Sequence, residues 1–369
     1  MSPRKKKETK KGTGSSLDAL YKHLDQTKES HYTFSQPVDY KVSGGSLNLD
    51  IEMGGGLNPG INVFSGVSGG GKTSCALTFA ANFQKQIENS FVIYFKAEGR
   101  LSDRIIKSTG VDTSTDKWLL YSGNVYEEIG ALIKNCIDQN PDNLKYMFII
   151  DSMDALIPKN DLEKGLDEAV KVAGAALLTS NMCKRISLRT SHNGHIMICV
   201  CQVRSKVSLN PYERVDPKLS NNSGGNAIQH YANWILEFQG NHFKNCKFAK
   251  KMRGGKEEFT GHLCKIAIRK SMNEKVGKII EYPIKYDTED GSVWVEREII
   301  DQLIQWDMMI KSGAWFSFSE ETLAELKEKK FKVENKFQGE ESLLNYLENN
   351  KEITEYFFKK FKQTLESLS

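Results

Sequence analysis

The octapeptide Gly66-Val67-Ser68-Gly69-Gly70-Gly71-Lys72-Thr73 constrains this chain more than any other stretch. It fits G-x-x-x-x-G-K-[ST] without a mismatch, follows the apolar run 61–65 (INVFS) and precedes helical spacing over 72–87. Strand, glycine-rich turn and helix in that order form a phosphate cradle. The glycines let successive backbone N–H groups curl around the oxygens, and the helix N-terminus adds partial positive charge. Lys72 supplies a point charge to the β- and γ-phosphates of ATP, and the Thr73 hydroxyl is placed for Mg²⁺. With Ser74, which continues the turn into the helix, these residues are the candidate nucleotide contacts. A glycine-rich turn without a ligand is the competing reading, and the flanking strand and helix weigh against it.

The rest of the chain patterns as an α/β protein. Candidate strands lie at 61–65, 91–95 (FVIYF), 118–121, 145–150 (KYMFII) and 195–201 (HIMICVC), and candidate helices at 72–87, 101–109, 126–138 and 168–188. Near-continuous apolar strands separated by helices predict a mainly parallel central sheet covered on both faces. Beyond 202, residues 231–239, 263–270 and 278–286 read as strands with no helix between them, so the sheet is expected to extend through antiparallel strands.

The chain divides into four segments. Residues 1–16 are a basic tail expected to be disordered. Residues 17–42 carry a short amphipathic helix over 17–27, with Leu17, Leu20, Tyr21 and Leu24 on one side, to pack on its own core or on a neighbouring subunit. Residues 43–295 form the core, and 296–369 a small C-terminal α+β domain. No run approaches the roughly 18 apolar residues of a membrane helix. The seven cysteines form no C-x-x-C pair, which points to buried thiols in a reducing compartment.

Three further positions complete a catalytic reading. The strand 145–150 ends in Asp151, where a carboxylate at the sheet's edge can hold Mg²⁺ through water. Glu98, in Lys96-Ala97-Glu98-Gly99-Arg100, follows the strand 91–95 and is the candidate base for the attacking water, with a plain surface acid as the alternative. Gln202 ends the strand 195–201, where an amide can touch the γ-phosphate and report it to the next part of the chain. That next part is the long polar segment 203–222, of a length usually tied to function. Its one aromatic, Tyr212, reads either as a base-stacking platform or as a surface tyrosine beside Pro211. His192 and His195 lie three apart, but no acid or cysteine stands at ligand spacing, so a metal is not expected there. Two basic clusters, 3–11 and Lys244, Lys247, Lys250, Lys251, Arg253 and Lys256, read as solvated surface or as phosphate contacts.

From about residue 43 onward the chain resembles the RecA recombinases of bacteria and phages. The likeness rests on SGGSLNLDIEMGGGLNPG before the cradle, KAEGR at Glu98, IIDSMDAL at Asp151, CVCQVRSK at 199–206, SGGNAIQHYA at 223–232 and MIKSGAWFSF at 309–318. The resemblance implies a RecA-like P-loop ATPase core and a DNA-dependent ATPase using ATP and Mg²⁺. It implies a homo-oligomeric helical filament on single-stranded DNA that pairs with homologous double-stranded DNA and exchanges strands in the bacterial cytoplasm. By that resemblance, loops near 159–170 and 203–222 face the filament axis. DNA contacts fall at Ser180, Lys184, Arg204, Lys206, Tyr212, Gly224, Gly225 and Asn226, and Arg269 and Lys270 fall near the basic pair that reaches ATP across the subunit boundary.

Departures suggest a divergent, phage- or plasmid-borne member. The family's basic-x-basic pattern is here Ile268-Arg269-Lys270, an aromatic after GGNA is His230, and the acidic tail is replaced by YFFKKFKQTLESLS. Two other readings stay open: a RecA-like ATP-binding regulator that touches no DNA, and a hexameric helicase-type ATPase. The segment before residue 43 is too short for a helicase collar. The complete cradle predicts that Lys72→Ala or Lys72→Arg abolishes ATP turnover, because a charge aimed at the β- and γ-phosphates is lost. A phosphate-release assay on the full chain checks this.

Overall fold

The alternation within each apolar run decides which face of the sheet each residue covers. The computed structural model describes residues 15–27, 35–99, 101–162, 173–204, 221–222, 225–240, 246–251, 257–289 and 291–368. Helix α1 (Ser15–Gln26) and the short α2 (Leu47–Glu52) precede β1 (Gly60–Gly66). Next come α3 (Lys72–Gln86), β2 (Ser90–Lys96), α4 (Asp103–Thr109), β3 (Trp118–Ser122), α5 (Tyr126–Asp138), β4 (Lys145–Asp151), the one-turn α6 (Lys159–Leu162), α7 (Ala173–His192) and β5 (Ile196–Arg204). After β6 (Asn221–Asn222) run α8 (Gly225–Tyr231), β7 (Ala232–Phe238), β8 (Lys247–Lys251), β9 (Glu257–Lys270) and β10 (Ile279–Lys285). Last come α9 (Val295–Gln305), β11 (Met309–Ser312), β12 (Trp315–Phe318), α10 (Glu320–Glu328), β13 (Lys336–Gln338), α11 (Gly339–Asn349) and α12 (Lys351–Leu368).

The main sheet has the order β10-β9-β7-β1-β5-β4-β2-β3, with β6 on β5 and β8 on β9. All neighbours from β7 to β3 are parallel, whereas β9, β10 and β8 join antiparallel. Strands buried on both faces lose the polar alternation of a half-exposed sheet, which is why they read as unbroken apolar runs. One face carries Phe64, Val92, Tyr94, Met147, Ile149, Ile198 and Val200 against α3 residues such as Phe79 and Phe83. The other carries Ile61, Val63, Ile93, Phe95, Phe148, Ile150 and Cys199 against Ile129 and Ile133 of α5 and Cys183 and Ile186 of α7. None of the seven cysteines is in a disulfide, and only Cys136 is less than buried.

Three expectations change. Residues 232–238 do not extend the sheet antiparallel: β7 runs parallel to β1. Helix α8 returns the chain across a face before β7 begins, as a parallel neighbour requires. The basic connection after 240 is partly a strand, β8, in which Lys250 ion-pairs with Glu341 at 3.0 Å and Lys247 lies over the Phe259 ring. Strand β9 starts six residues earlier than its apolar run suggests, because its first three residues are exposed and only Phe259 among the six is a large apolar side chain. Residues 1–14, including the basic tail, lie outside the described residues. Helix α1 exists as expected, with Leu17, Leu20 and Tyr21 exposed in the single chain.

After β10 a third apolar cluster joins Ile299 and Leu303 of α9, Phe316 and Phe318 of β12, Phe337, Leu347 and Phe357, and it also takes in Leu47 of α2. The joint is polar and buried. Glu298 of α9 accepts hydrogen bonds from Ser46 Oγ at 2.6 Å and from the Leu47 and Asn48 amides at 3.0 and 3.3 Å, at the N-terminus of α2. Burial, with a smaller push from Asp50, raises its carboxyl to about 7 despite those donors. Because the folded value lies above the unfolded one, this group's stabilisation is complete below about pH 4.5 and lost as pH rises through about 7. Glu298→Gln does not titrate and leaves amide protons facing backbone donors. Thermal melts should therefore show the variant well below wild type at pH 5, with the gap narrowing by pH 8.

Candidate nucleotide site

The site grows from the carboxyl edge of the parallel strands, where ligands of open α/β sheets bind. In register across that edge, Gly66 pairs with Gln202 and Lys96 with Asp151. Gly66 has φ 141°, and a Cβ there would lie 2.2 Å from the Phe238 carbonyl oxygen, so only glycine lets β1 end this close to β7. Gly71, at φ 99°, then starts α3, with its backbone donors turned over the edge.

Lys72 is buried and donates to the Gly66 and Val67 carbonyls at 2.9 and 2.7 Å. Burial pushes its amine below the ordinary lysine value, while Asp151, Glu98 and Asp154 pull it back up. Thr73 donates to Asp151 Oδ2 at 2.6 Å, and Tyr94 donates to the same oxygen at 2.7 Å. Burial and that carboxylate hold the Tyr94 phenol protonated. Beside this pair, Glu98 Oε1 accepts from Ser152 Oγ and from Gln202 Nε2, the latter at 3.0 Å. The Gln202 backbone N–H donates to Asp154 Oδ2 at 2.6 Å.

Ser68, Gly69, Gly71–Ser74, Tyr94, Glu98, Asp151, Ser152, Gln202 and His262 line one cavity of about 280 Å³. The fold thus brings the candidate cradle, Mg²⁺ acid, base and amide to one place. Sequence reasoning missed Tyr94, Ser152, Asp154 and His262. Ser152 and Asp154 could have been found, since both are polar residues directly after an apolar strand that ends in Asp151. Tyr94 sits inside an apolar run and looks like core. His262 comes from a strand 190 residues away in the chain from Lys72, and no local pattern connects it.

The donor set suits Mg²⁺. A hydroxyl and a carboxylate oxygen lie side by side, and no cluster of three acids, cysteines or histidines stands ready as a metal cage among the described residues. Mg²⁺ is commonly held this way, by one or two protein oxygens together with phosphate oxygens and waters.

The remaining sequence candidates lie elsewhere. Arg269 makes a two-toothed ion pair with Glu237, both contacts 2.8 Å, and Lys270 donates to the Gln229 and His230 carbonyls at 2.8 and 2.9 Å, at the C-terminal end of α8. Neither lines this chain's own cavity. Half-buried Ser180 and exposed Lys184 sit one turn apart on α7. Arg204 ends β5 opposite Asn221, and Gly225 and Asn226 open α8. Lys206, Tyr212 and Gly224 lie outside the described residues.

Parallel sheet, glycine cradle, lysine, threonine and strand-end aspartate together define a P-loop nucleotide-binding protein. Comparison with known proteins narrows this. The family model described as RecA N-terminal domain matches residues 28–286, and the chain belongs to the RecA family of recombinases. Protein RecA of Rickettsia bellii (strain RML369-C) is 27% identical over 316 residues, covering 85% of this chain and 81% of its own. Protein RecA of Mycoplasma genitalium is 30% identical over 300 residues, 79% of each chain.

The bonds from Gln202 and Ser152 hold Glu98, the candidate base for an attacking water, beside the cradle. Glu98→Gln keeps the shape and removes that candidate base. It should still bind ATP while turnover falls about 100-fold or more, checked by nucleotide titration beside a phosphate-release assay.

Proposed function

We propose that this chain is a DNA-dependent ATPase that assembles on single-stranded DNA as an ATP-bound helical filament, pairs that strand with homologous duplex and exchanges strands. One observation carries the reading: the Gln202 amide bonded to Glu98 at 3.0 Å inside the nucleotide cavity, one peptide bond before the polar segment 203–222. A side chain that senses the γ-phosphate is thereby joined directly to the segment expected to meet DNA.

The chemistry takes place at the sheet's edge. The cradle amides and Lys72 take the phosphates, and Glu98 orients and deprotonates water for attack on the terminal phosphate. Thr73 and Asp151 would hold Mg²⁺, which when bound would neutralise charge on the phosphate oxygens. The DNA contacts are Ser180 and Lys184 on α7, Arg204 at the end of β5, Gly225 and Asn226 at the start of α8, and Lys206, Tyr212 and Gly224, which lie outside the described residues. Arg269 and Lys270 belong to the subunit boundary, where their remaining N–H donors are available to a neighbour's nucleotide. Family membership supports this reading over a DNA-independent regulator or a hexameric helicase.

ATPase rate with and without single-stranded DNA tests the proposal, and a rate indifferent to DNA overturns it. Gln202→Ala sharpens the test. Nucleotide binding should survive because Lys72 and the cradle backbone remain, while the tightening of DNA binding by a slowly hydrolysed ATP analogue over ADP, about 5–150-fold for a typical coupling, should vanish. Fluorescence anisotropy on a labelled oligonucleotide reads it.

A further inference from the structure

His262 is a buried histidine without a hydrogen-bond partner, placed on the wall of the nucleotide cavity. Its relative exposure is 8%, and neither Nδ1 nor Nε2 has a partner. Leaving a buried polar group unpaired is costly, so such a group calls for a reason. Burial and the charge of Lys247 hold the imidazole below its usual value, so at neutral pH it offers one donor and one acceptor.

Its position along β9 says which part of a nucleotide it meets. Ile266 pairs with Phe238, which pairs with Gly66, so Ile266 stands level with the start of the cradle. Cys264, one strand repeat further out, lies against the cradle, its thiol 3.6 Å from the Gly70 carbonyl. His262 is one repeat beyond that on the same face, about 13 Å past the sheet's edge. It is therefore past the helix N-terminus that takes phosphate, and on the side of the cradle away from Glu98 and Asp151. Two aliphatic side chains also line the cavity, Leu101 just before α4 and Ile105 on α4. The end is closed where α4 meets the turn after β10: the Gly291 amide donates to the Ser108 carbonyl at 3.1 Å, and Arg104 ion-pairs with Asp287. The Tyr286 ring packs on His262 with centroids 5.4 Å apart and fixes the imidazole's plane.

A triphosphate in the cradle leaves this slot, lined by two aliphatic side chains and a neutral imidazole, for the base. We propose that His262 hydrogen-bonds the nucleobase and sets the preference of this site for adenine nucleotides over the bare triphosphate. The inference rests on the nucleotide site proposed above and deepens it, since no sequence motif of the cradle includes this residue.

Calorimetric titration of the full chain with a slowly hydrolysed ATP analogue and with inorganic tripolyphosphate, both with Mg²⁺, tests it. Wild type should bind the ATP analogue more tightly than tripolyphosphate. His262→Ala and His262→Phe, the second keeping a flat ring without nitrogens, should each weaken the ATP analogue about tenfold, as for a lost hydrogen bond, and leave tripolyphosphate within twofold. An unchanged ratio between the two ligands in His262→Phe overturns the inference, whether both affinities hold or both fall together. Wild type that binds tripolyphosphate as tightly as the ATP analogue overturns it too, while leaving the phosphate site standing. Wild type that binds neither ligand removes the nucleotide site itself. Melting curves without nucleotide, compared with wild type, identify a variant whose loss comes from misfolding, and the other variant then decides.

Discussion

Asp151 is the point on which the site's geometry turns. One of its oxygens accepts from Thr73 at the start of α3 and from Tyr94 on β2, so a single carboxylate ties the phosphate-binding helix to two strands of the sheet. Its own strand fixes it in register with Lys96 and Val200. The same turn then supplies Ser152 for Glu98 and Asp154 for the Gln202 backbone. A carboxylate in this partly enclosed setting needs its donors, and hydrogen bonds to a charged group are worth about 1.5–3 kcal/mol each. Removing Asp151 would therefore loosen α3 from β2 and β4, and Lys72 would lose the first of the charges that offset its burial.

The polar segment between β5 and α8 starts from this network. At its start, Gln202 is held through backbone and side chain by Asp154 and Glu98. Further on, at the C-terminal end of α8, Lys270 caps the last carbonyls, where a cation suits both those acceptors and the helix dipole. Arg269, next in the chain, locks β9 to β7 through Glu237.

Much of this was legible in the chain. The cradle was readable because its chemistry is local: consecutive backbone amides, one lysine and one hydroxyl need only a strand before them and a helix after them. The parallel strands were readable because burial on both faces leaves unbroken apolar runs. Glu98, Asp151 and Gln202 were readable because each closely follows such a run, and a parallel sheet brings all its strand ends to one edge. Legibility failed where an element's role depends on a partner remote in sequence. Strand β7 looked antiparallel because a seven-residue helix before it carries little pattern. Strand β8 looked like a basic loop because its partner, not its composition, makes it a strand.

The sequence by itself determined the class of protein and the phosphate-cradle motif, since these depend on residues within a turn or two of one another. Only the tertiary structure decided that Tyr94 shares the Asp151 carboxylate, that Arg269 and Lys270 are held by Glu237 and α8 in the single chain, and that His262 stands unpartnered in the nucleotide cavity. Each of those facts depends on which strand lies beside which. That order is set by packing two apolar faces at once, a condition on the whole sheet that no stretch of the chain records.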